Sequence, residues 1–181
     1  SWVNGEILTT EMPPGSGHFV TNNAGDTLHS GLELGLDVRV PLDEPDGDAL
    51  RVRATYTYNR FRFEADPVFG GNRIPGIPPQ FGRLEVLYES VGGFYVGPML
   101  SAASAYFVDY ANTLKTDAYV IVGARAGYDN DYFSVFVEMR NLADRHYASN
   151  TSLVADAHGR DQAVFNPGLG RSVFAGVEMK W

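Results

Sequence analysis

Four histidines, His18, His29, His146 and His158, supply all of the chain's imidazoles, and no two stand at a spacing that a metal site uses. His158 has acidic company: "ADAHGRD" places it between Asp156 and Asp161. Such a group could touch a metal complex from a loop, although a solvated loop accounts for the same residues. Cysteine is absent, which excludes thiolate zinc sites, disulfides and cysteine nucleophiles. Met12, Met99, Met139 and Met179 are dispersed, so a methionine-lined copper site has no support. There is no Gly-x-Ser-x-Gly turn and no phosphate loop. The sequence thus offers no catalytic constellation, no resident metal and no cofactor. Binding is the chemistry left. Arg73, Tyr106, Tyr110, His158, Arg160 and Phe165 combine charge, aromatic surface and positions between patterned segments.

The segments that must position these residues alternate with period two, the signature of strands with one apolar face. In "GLELGLDVRV" Leu32, Leu34, Leu36, Val38 and Val40 oppose Glu33, Asp37 and Arg39. In "RVRATYTY" Val52, Ala54, Tyr56 and Tyr58 oppose Arg51, Arg53, Thr55 and Thr57. "RLEVLYE" sets Leu84, Val86 and Tyr88 against Arg83 and Glu85, with Leu87 breaking the polar row. Arg125 falls on the mixed face of "AYVIVGARAGY", and Glu138 and Arg140 on that of "FSVFVEMR". About eight strands are predicted: 1–10, 18–41, 49–64, 80–90, 94–108, 117–128, 132–148 and 164–181. Pro98 weakens the fifth.

The links alternate in length. "VGG" and "YDND" are tight and "PLDEPDGDA" is moderate, whereas "EADPVFGGNRIPGIPP", "VDYANTLKT" and "SNTSLVADAHGRDQAVFNPG" are long. Short turns at one end and long loops at the other are the habit of outer-membrane barrels. A soluble β-sandwich shows similar alternation and stays open on pattern alone. Tyr58, Tyr88 and Tyr128 near strand ends, as an interfacial girdle places them, lean towards the barrel. The charged faces, with Arg39, Arg51, Arg53, Arg83, Arg125 and Arg140 beside Glu33, Asp37, Glu85 and Glu138, suit a wet or plugged lumen. A net charge of −8, with basic residues scattered, argues against nucleic acid as a partner. No apolar run reaches the roughly 18 residues of a spanning helix. "SWVNGEILTT" lacks the form of a leader and reads as strand from the outset, which favours a start inside a larger protein.

Several stretches resemble the carboxy-terminal region of TonB-dependent outer-membrane receptors. They include "NNAGDTLHSGLELGLDVRV", "NRIPGIPPQFGRLEVLYE", "GFYVGPMLSAASAYFVDYANT", "YVIVGARAGYD", "FVEMRNLADRHYAS" and "FNPGLGRSVFAGVEMKW". They follow the family's order, and "NLADRHYAS" with "PGLGRSVFAGVEMKW" is the most specific pair. The resemblance implies that residues 1–181 are an up-and-down antiparallel β-barrel segment, the carboxy-terminal third of a barrel of 22 strands. It implies a bacterial outer-membrane location with lipid against the outer face. It also implies a plug domain and amino-terminal strands that are absent here, with the TonB complex acting through that plug. Uptake of a ferric siderophore or a similar scarce nutrient follows, with the six loop residues above as ligand contacts. The charged faces would then meet the plug and one another, while Asp144 and Arg145 fix the wall. The resemblance also implies that the final strand, ending in the aromatic Trp181, is the signal read by the barrel-assembly machinery. The competing reading is a self-contained eight-stranded barrel with a structural or adhesion role.

Overall fold

The computed structural model describes residues 2–3, 7–11, 18–23, 25–42, 47–160 and 164–181. Among the described residues twelve strands form: β1 (Trp2–Val3), β2 (Ile7–Glu11), β3 (Phe19–Asn23), β4 (Asp26–Pro41), β5 (Ala49–Glu64) and β6 (Gln80–Glu89), then β7 (Phe94–Ala103), β8 (Tyr119–Asp129), β9 (Phe133–Arg140), β10 (Ala148–Thr151), β11 (Phe165–Pro167) and β12 (Ser172–Met179). Eight of them make one antiparallel sheet in the order β1-β4-β5-β6-β7-β8-β9-β12. Within that sheet, each of the strands from β4 to β9 pairs with its sequence neighbours, and β12 joins β9. Among the described residues the sheet is open, because β1 and β12 pair with other strands on one side only.

Register turns the alternating residues into rows across the sheet. Val40, Leu50, Tyr88, Val96, Ala126, Val137 and Ala175 lie side by side across seven strands. Val38, Val52 and Val86 form part of a neighbouring row, and Leu36, Ala54, Leu84, Leu100 and Val122 form the next. A one-residue slip between any two strands would move an arginine into this belt, so the pattern itself specifies the register. The belt is exposed: Leu34 keeps 56% of its surface and Val177 keeps 70%. In water this would be an apolar patch spanning most of the sheet, far beyond what a monomer tolerates. Against hydrocarbon it is the expected outer surface. Tyr88, Phe94, Tyr128 and Phe133 collect on the belt's short-turn end, where Tyr128 and Phe133 stack at 5.8 Å.

Pro98 interrupts the β6–β7 ladder between Glu85↔Met99 and Tyr88↔Val96 without shifting the register, since it has no N–H to donate. The short turns are held by side-chain acceptors. Asn130 Oδ1 receives the N–H groups of Tyr132 (2.9 Å) and Phe133 (2.8 Å). Asp48 receives the Val91 N–H (2.9 Å) and the Tyr88 hydroxyl. Those two bonds, the hydroxyl's first, hold the Asp48 carboxyl below the usual carboxylate range.

Five predicted strands are shorter than expected or divided. The 18–41 segment splits into β3 and β4 around Gly25, whose N–H goes to Asp66 Oδ2 at 2.7 Å and so hooks the chain to a loop. The 94–108 strand stops at Ala103, and Phe107 beyond it bridges to Lys115 within the following loop. The 132–148 strand stops at Arg140, because Asn141 adopts a left-handed φ of 53°. The 164–181 segment splits into β11 and β12 around the Gly168–Gly170 turn. Strand 1–10 divides into β1 and β2, and residues 4–6 lie outside the described residues.

Candidate functional site

Two surfaces carry the polar chemistry: the inner wall of the sheet and a platform of long loops above it. Along the wall, Asp37, Arg53 and Glu85 share one row, and Arg39 and Arg51 lie together in the next. Arg51 binds Asp37 through both forks, Nε to Oδ1 and Nη2 to Oδ2, each at 2.8 Å. Arg53 reaches Glu85 at 3.1 Å and Asp37 at 3.6 Å. Glu89 is shared by Arg39 (3.7 Å) and Arg51 (3.8 Å). Arg140 pairs with Glu138 and lies 4.7 Å from the Phe174 ring centre. Arg39, Arg51, Arg53 and Arg140 therefore each meet an acid of the same face along the sheet. Register sets these pairs: Arg53 falls directly across from both Asp37 and Glu85, and Arg51 lies diagonally, two positions along, from Asp37. Glu33 sits exposed on the same face, opposite Thr57.

Arg83 and Arg125 pack on rings. Arg83 lies 5.2 Å over Phe81. Arg125 lies between Phe136 (5.0 Å) and Tyr95 (5.8 Å), and its buried Nε has no hydrogen-bond partner among the described residues. Those rings lie flat because glycines leave room. A Cβ on Gly127 would come within 2.3 Å of the Tyr95 hydroxyl, and one on Gly176 within 2.5 Å of Phe136. Leu87, which broke the polar row, is 4% exposed on this face. A hollow of about 880 Å³ lies against the wall, bounded by Asp37, Arg53, Arg83, Glu85, Arg140 and Tyr147 among others.

The loop platform has two small cores: Val108, Val154, Ala157 and Val164, and then Phe63 with Tyr110. Its hinge-pin is Asp109, which is fully buried. The Asp109 carboxylate accepts from Thr113 N–H (2.9 Å), Thr113 Oγ1 (2.6 Å), Leu114 N–H (3.0 Å) and Ala157 N–H (3.2 Å). Burial pushes its pKa up, but these four donors outweigh burial and hold it below the usual value. Asp66 plays the same part lower down, taking the N–H groups of Gly25, Val68 and Phe69. A third knot closes the wall. Asn141, 1% exposed, donates to the Arg145 and Leu169 carbonyls and accepts from Arg145 N–H. Asp144 Oδ1 accepts the Arg171 N–H at 2.9 Å. "NLADRHY" and "NPGLGR" are therefore two halves of one clasp.

The expected ligand residues divide. Tyr106 and Tyr110 are 6% and 5% exposed, and Phe165 packs on the first loop core. Tyr110 sits 6.0 Å from Phe63 and 5.4 Å from Phe69, ring to ring. These aromatics build the platform. Arg160 is exposed, and His158 is exposed with its Nδ1 3.1 Å from Asp156. Met12 and Asp161 lie outside the described residues. Among the described residues no cluster of three His, Asp or Glu side chains could hold a metal ion. Arg73 lines a hollow of about 310 Å³ at the loop end of the inner wall, and across it stands Lys115 with its ammonium 4.5 Å over the Phe107 ring. Sequence reasoning missed Lys115, Phe107 and Asp109. The available signal was that Lys115 is one of two lysines and lies in a long loop.

Comparison with known proteins places this arrangement. The profile of the family described as TonB dependent receptor-like, beta-barrel matches residues 1–142. The probable TonB-dependent siderophore receptor PiuA of Acinetobacter baumannii is 25% identical over 158 residues, covering 78% of this chain and 20% of that protein. The ferrioxamine receptor of Yersinia enterocolitica is 30% identical over 135 residues, covering 70% and 18% respectively. Among solved structures, PiuA from Acinetobacter baumannii superposes with a TM-score of 0.69 at 22% identity, over 99% of this chain and 25% of that one. The copper transporter OprC gives 0.75 at 19% identity, over 98% and 27%. At these identities the superpositions establish the fold. The chain spans about a fifth of the length of the curated relatives, so its open sheet is part of a larger barrel.

Proposed function

This chain belongs to the TonB-dependent receptor β-barrel family, and we propose that it forms part of the wall of an outer-membrane receptor importing a ferric siderophore or a similarly scarce nutrient. The observation that carries this reading is the two-sidedness of an open sheet. Its outer face is an unbroken apolar belt, its inner face is charged, and its two edges need partners. Unpaired backbone does not survive in hydrocarbon, so β4, which β1 covers only at Thr27 and Leu28, and β12 must each meet another strand. That requirement favours a large barrel over the self-contained eight-stranded one. In this reading a plug fills the lumen against the inner wall and couples to the TonB complex, and Arg125 offers it a buried, unsatisfied Nε. Lipid covers the belt. Deleting the gene that encodes the chain should abolish uptake of labelled ferric siderophore by iron-starved cells, and a protonophore should do the same in the parent. Uptake that survives the deletion would overturn the proposal.

The belt makes a quantitative prediction. Arg placed at Val38, Val122 or Val137 is expected to cost roughly 2–4 kcal/mol in a bilayer if the site lies near the midplane. A Thr55→Arg change on the inner face is expected to cost well under 1 kcal/mol. Urea titration of the receptor in lipid vesicles measures both. Equal losses on the two faces would reverse the assignment of lipid side and lumen side.

Trp181 is expected to matter for assembly and little for stability. It is fully exposed and makes no ring contact among the described residues, while Lys180 beside it pairs with Asp129. Trp181→Asp should lower the heat-modifiable, folded fraction in outer membranes severalfold while leaving refolding into detergent nearly unchanged. Equal losses in both assays would make Trp181 a packing residue.

A further inference from the structure

We propose that a shallow hollow on the outer, apolar face of the sheet, beside Arg145 and Arg60 at the long-loop end, holds a phosphorylated lipid of the outward leaflet. The inference rests on the reading above only in taking the apolar belt as the lipid face. Tyr56, Gly82, Ala102 and Val120 stand side by side across β5 to β8. The neighbouring row on the same face is Ala54, Leu84, Leu100 and Val122. At β6 and β7 the belt therefore drops from leucine to glycine and alanine as it nears the loops. The drop leaves a hollow of about 380 Å³, bounded on the loop side by Gln80, Ala118 and Arg145. The fold does not demand this glycine. A Cβ on Gly82 would make only ordinary contacts, 3.5 Å to the Thr55 carbonyl oxygen and 3.9 Å to Tyr56 Cδ2. The space is open by choice of residue, with no backbone constraint behind it.

The charges around the hollow are cationic. Arg145 is clamped at its backbone, its N–H donating to Asn141 Oδ1 and its carbonyl accepting from Asn141 Nδ2, both at 2.9 Å. Its side chain is exposed, and the adjacent Asp144 is turned to the Arg171 N–H. Arg60 is exposed two rows above Tyr56 on the same face of β5. Neither guanidinium has an ion-pair partner among the described residues. Arg62, next along that face, is already engaged by Glu64 at 3.4 Å. No carboxylate lines the hollow, although the chain carries a net charge of −8. The Tyr56 hydroxyl donates to Gln80 Oε1 at 3.3 Å, which fixes an amide at the rim. Two arginines, an amide and a tyrosine ring around a dip of small residues suit a phosphate above an acyl chain. A guanidinium fork takes two phosphate oxygens at once. An arginine this close to hydrocarbon is costly without such a counter-ion. Long loops mark the outward end of a barrel, which assigns the lipid to the outward leaflet.

The test uses the whole receptor that contains this chain, folded into phosphatidylcholine vesicles that carry a minor fraction of phosphatidic acid, a phosphomonoester lipid. Native mass spectrometry after detergent extraction counts the lipids that each receptor retains. Arg145→Gln is expected to lower retained phosphatidic acid about tenfold, the worth of one charge-assisted hydrogen bond. Arg60→Gln should lower it severalfold, and Arg145→Lys should lower it less than Arg145→Gln does. Gly82→Leu, which fills the hollow and keeps every charge, should lower it about as much as Arg145→Gln. Arg39→Gln, the same charge change on the inner wall, should leave it within about twofold. Unchanged heat-modifiable mobility shows that the variants fold. Equal retention by the parent and Arg145→Gln, or an equal loss with Arg39→Gln, would overturn the inference and leave the transport reading standing. So would full displacement of the lipid by excess inorganic phosphate, which marks a plain anion site. A disulfide-linked dimer of Gly82→Cys in membranes would likewise overturn it, by giving this face to a second copy. A receptor that retains neither lipid and stays out of the membrane fraction would overturn the lipid face itself, and transport with it.

Discussion

Cells that lack the parent receptor but export residues 1–181 are expected to accumulate no labelled ferric siderophore above background, and a protonophore is expected to change nothing. The difference from cells carrying the whole receptor should be complete rather than partial. The reason lies in the sheet. β4, which β1 covers only at Thr27 and Leu28, and β12 each present an edge that lipid cannot satisfy, and no described strand bridges them. The inner wall has already neutralised much of its own charge through Arg51–Asp37, Arg53–Glu85 and Arg140–Glu138. Protonophore-sensitive uptake by residues 1–181 alone would overturn the reading of this chain as one part of a larger transporter.

The second large effect concerns Asp109. Asp109→Ala removes the acceptor of three backbone N–H groups and one hydroxyl drawn from two loops. An orphaned buried donor costs about 1–3 kcal/mol, and the freed loops recover part of that by rehydrating. A local loss of about 3 kcal/mol is expected, or roughly a hundredfold faster exchange at the amides of Thr113, Leu114 and Ala157, with strand amides of β5 to β9 unchanged. Native-state hydrogen exchange on the receptor in detergent reads it directly. Faster exchange at Thr113 and Leu114 with Ala157 unmoved would mean that Asp109 closes its own turn and does not join the loops.

Acid should release the same latch. Asp109 has a folded-state pKa held below its unfolded value of about 3.9. Its contribution is therefore complete above that value and is lost as pH falls from about 3.9 through the depressed folded pKa. Asp66 behaves with the same sign, its three N–H donors outweighing its burial. The platform should be constant from neutrality down to about pH 4 and loosen only below it.

The sequence by itself determined that the alternating segments are strands and which face of each is apolar, because a period of two cannot be satisfied any other way over ten residues. Leu34, Leu36 and Val38, or Val173, Ala175 and Val177, have one sensible orientation once an apolar surface must be grouped. The resemblance carried by "NLADRHYAS" and "PGLGRSVFAGVEMKW" pointed to the family, and the family profile agrees. Tertiary structure decided what depends on distant residues meeting. Arg51 finds Asp37, and Arg53 finds Glu85, only after three strands are in register. Tyr110 looked like a loop aromatic open to a ligand, and burial against Phe63 and Phe69 made it core instead. Lys115 looked like an isolated cation, and the fold of two long loops set it across a hollow from Arg73. Strand ends at Ala103 and Arg140 were fixed by loop packing and a left-handed Asn141, which alternation cannot foresee. Period and polarity are local properties that each residue carries wherever it goes. Charge pairing, loop cores and hollows belong to pairs of residues tens of positions apart, and only the folded chain brings those pairs together.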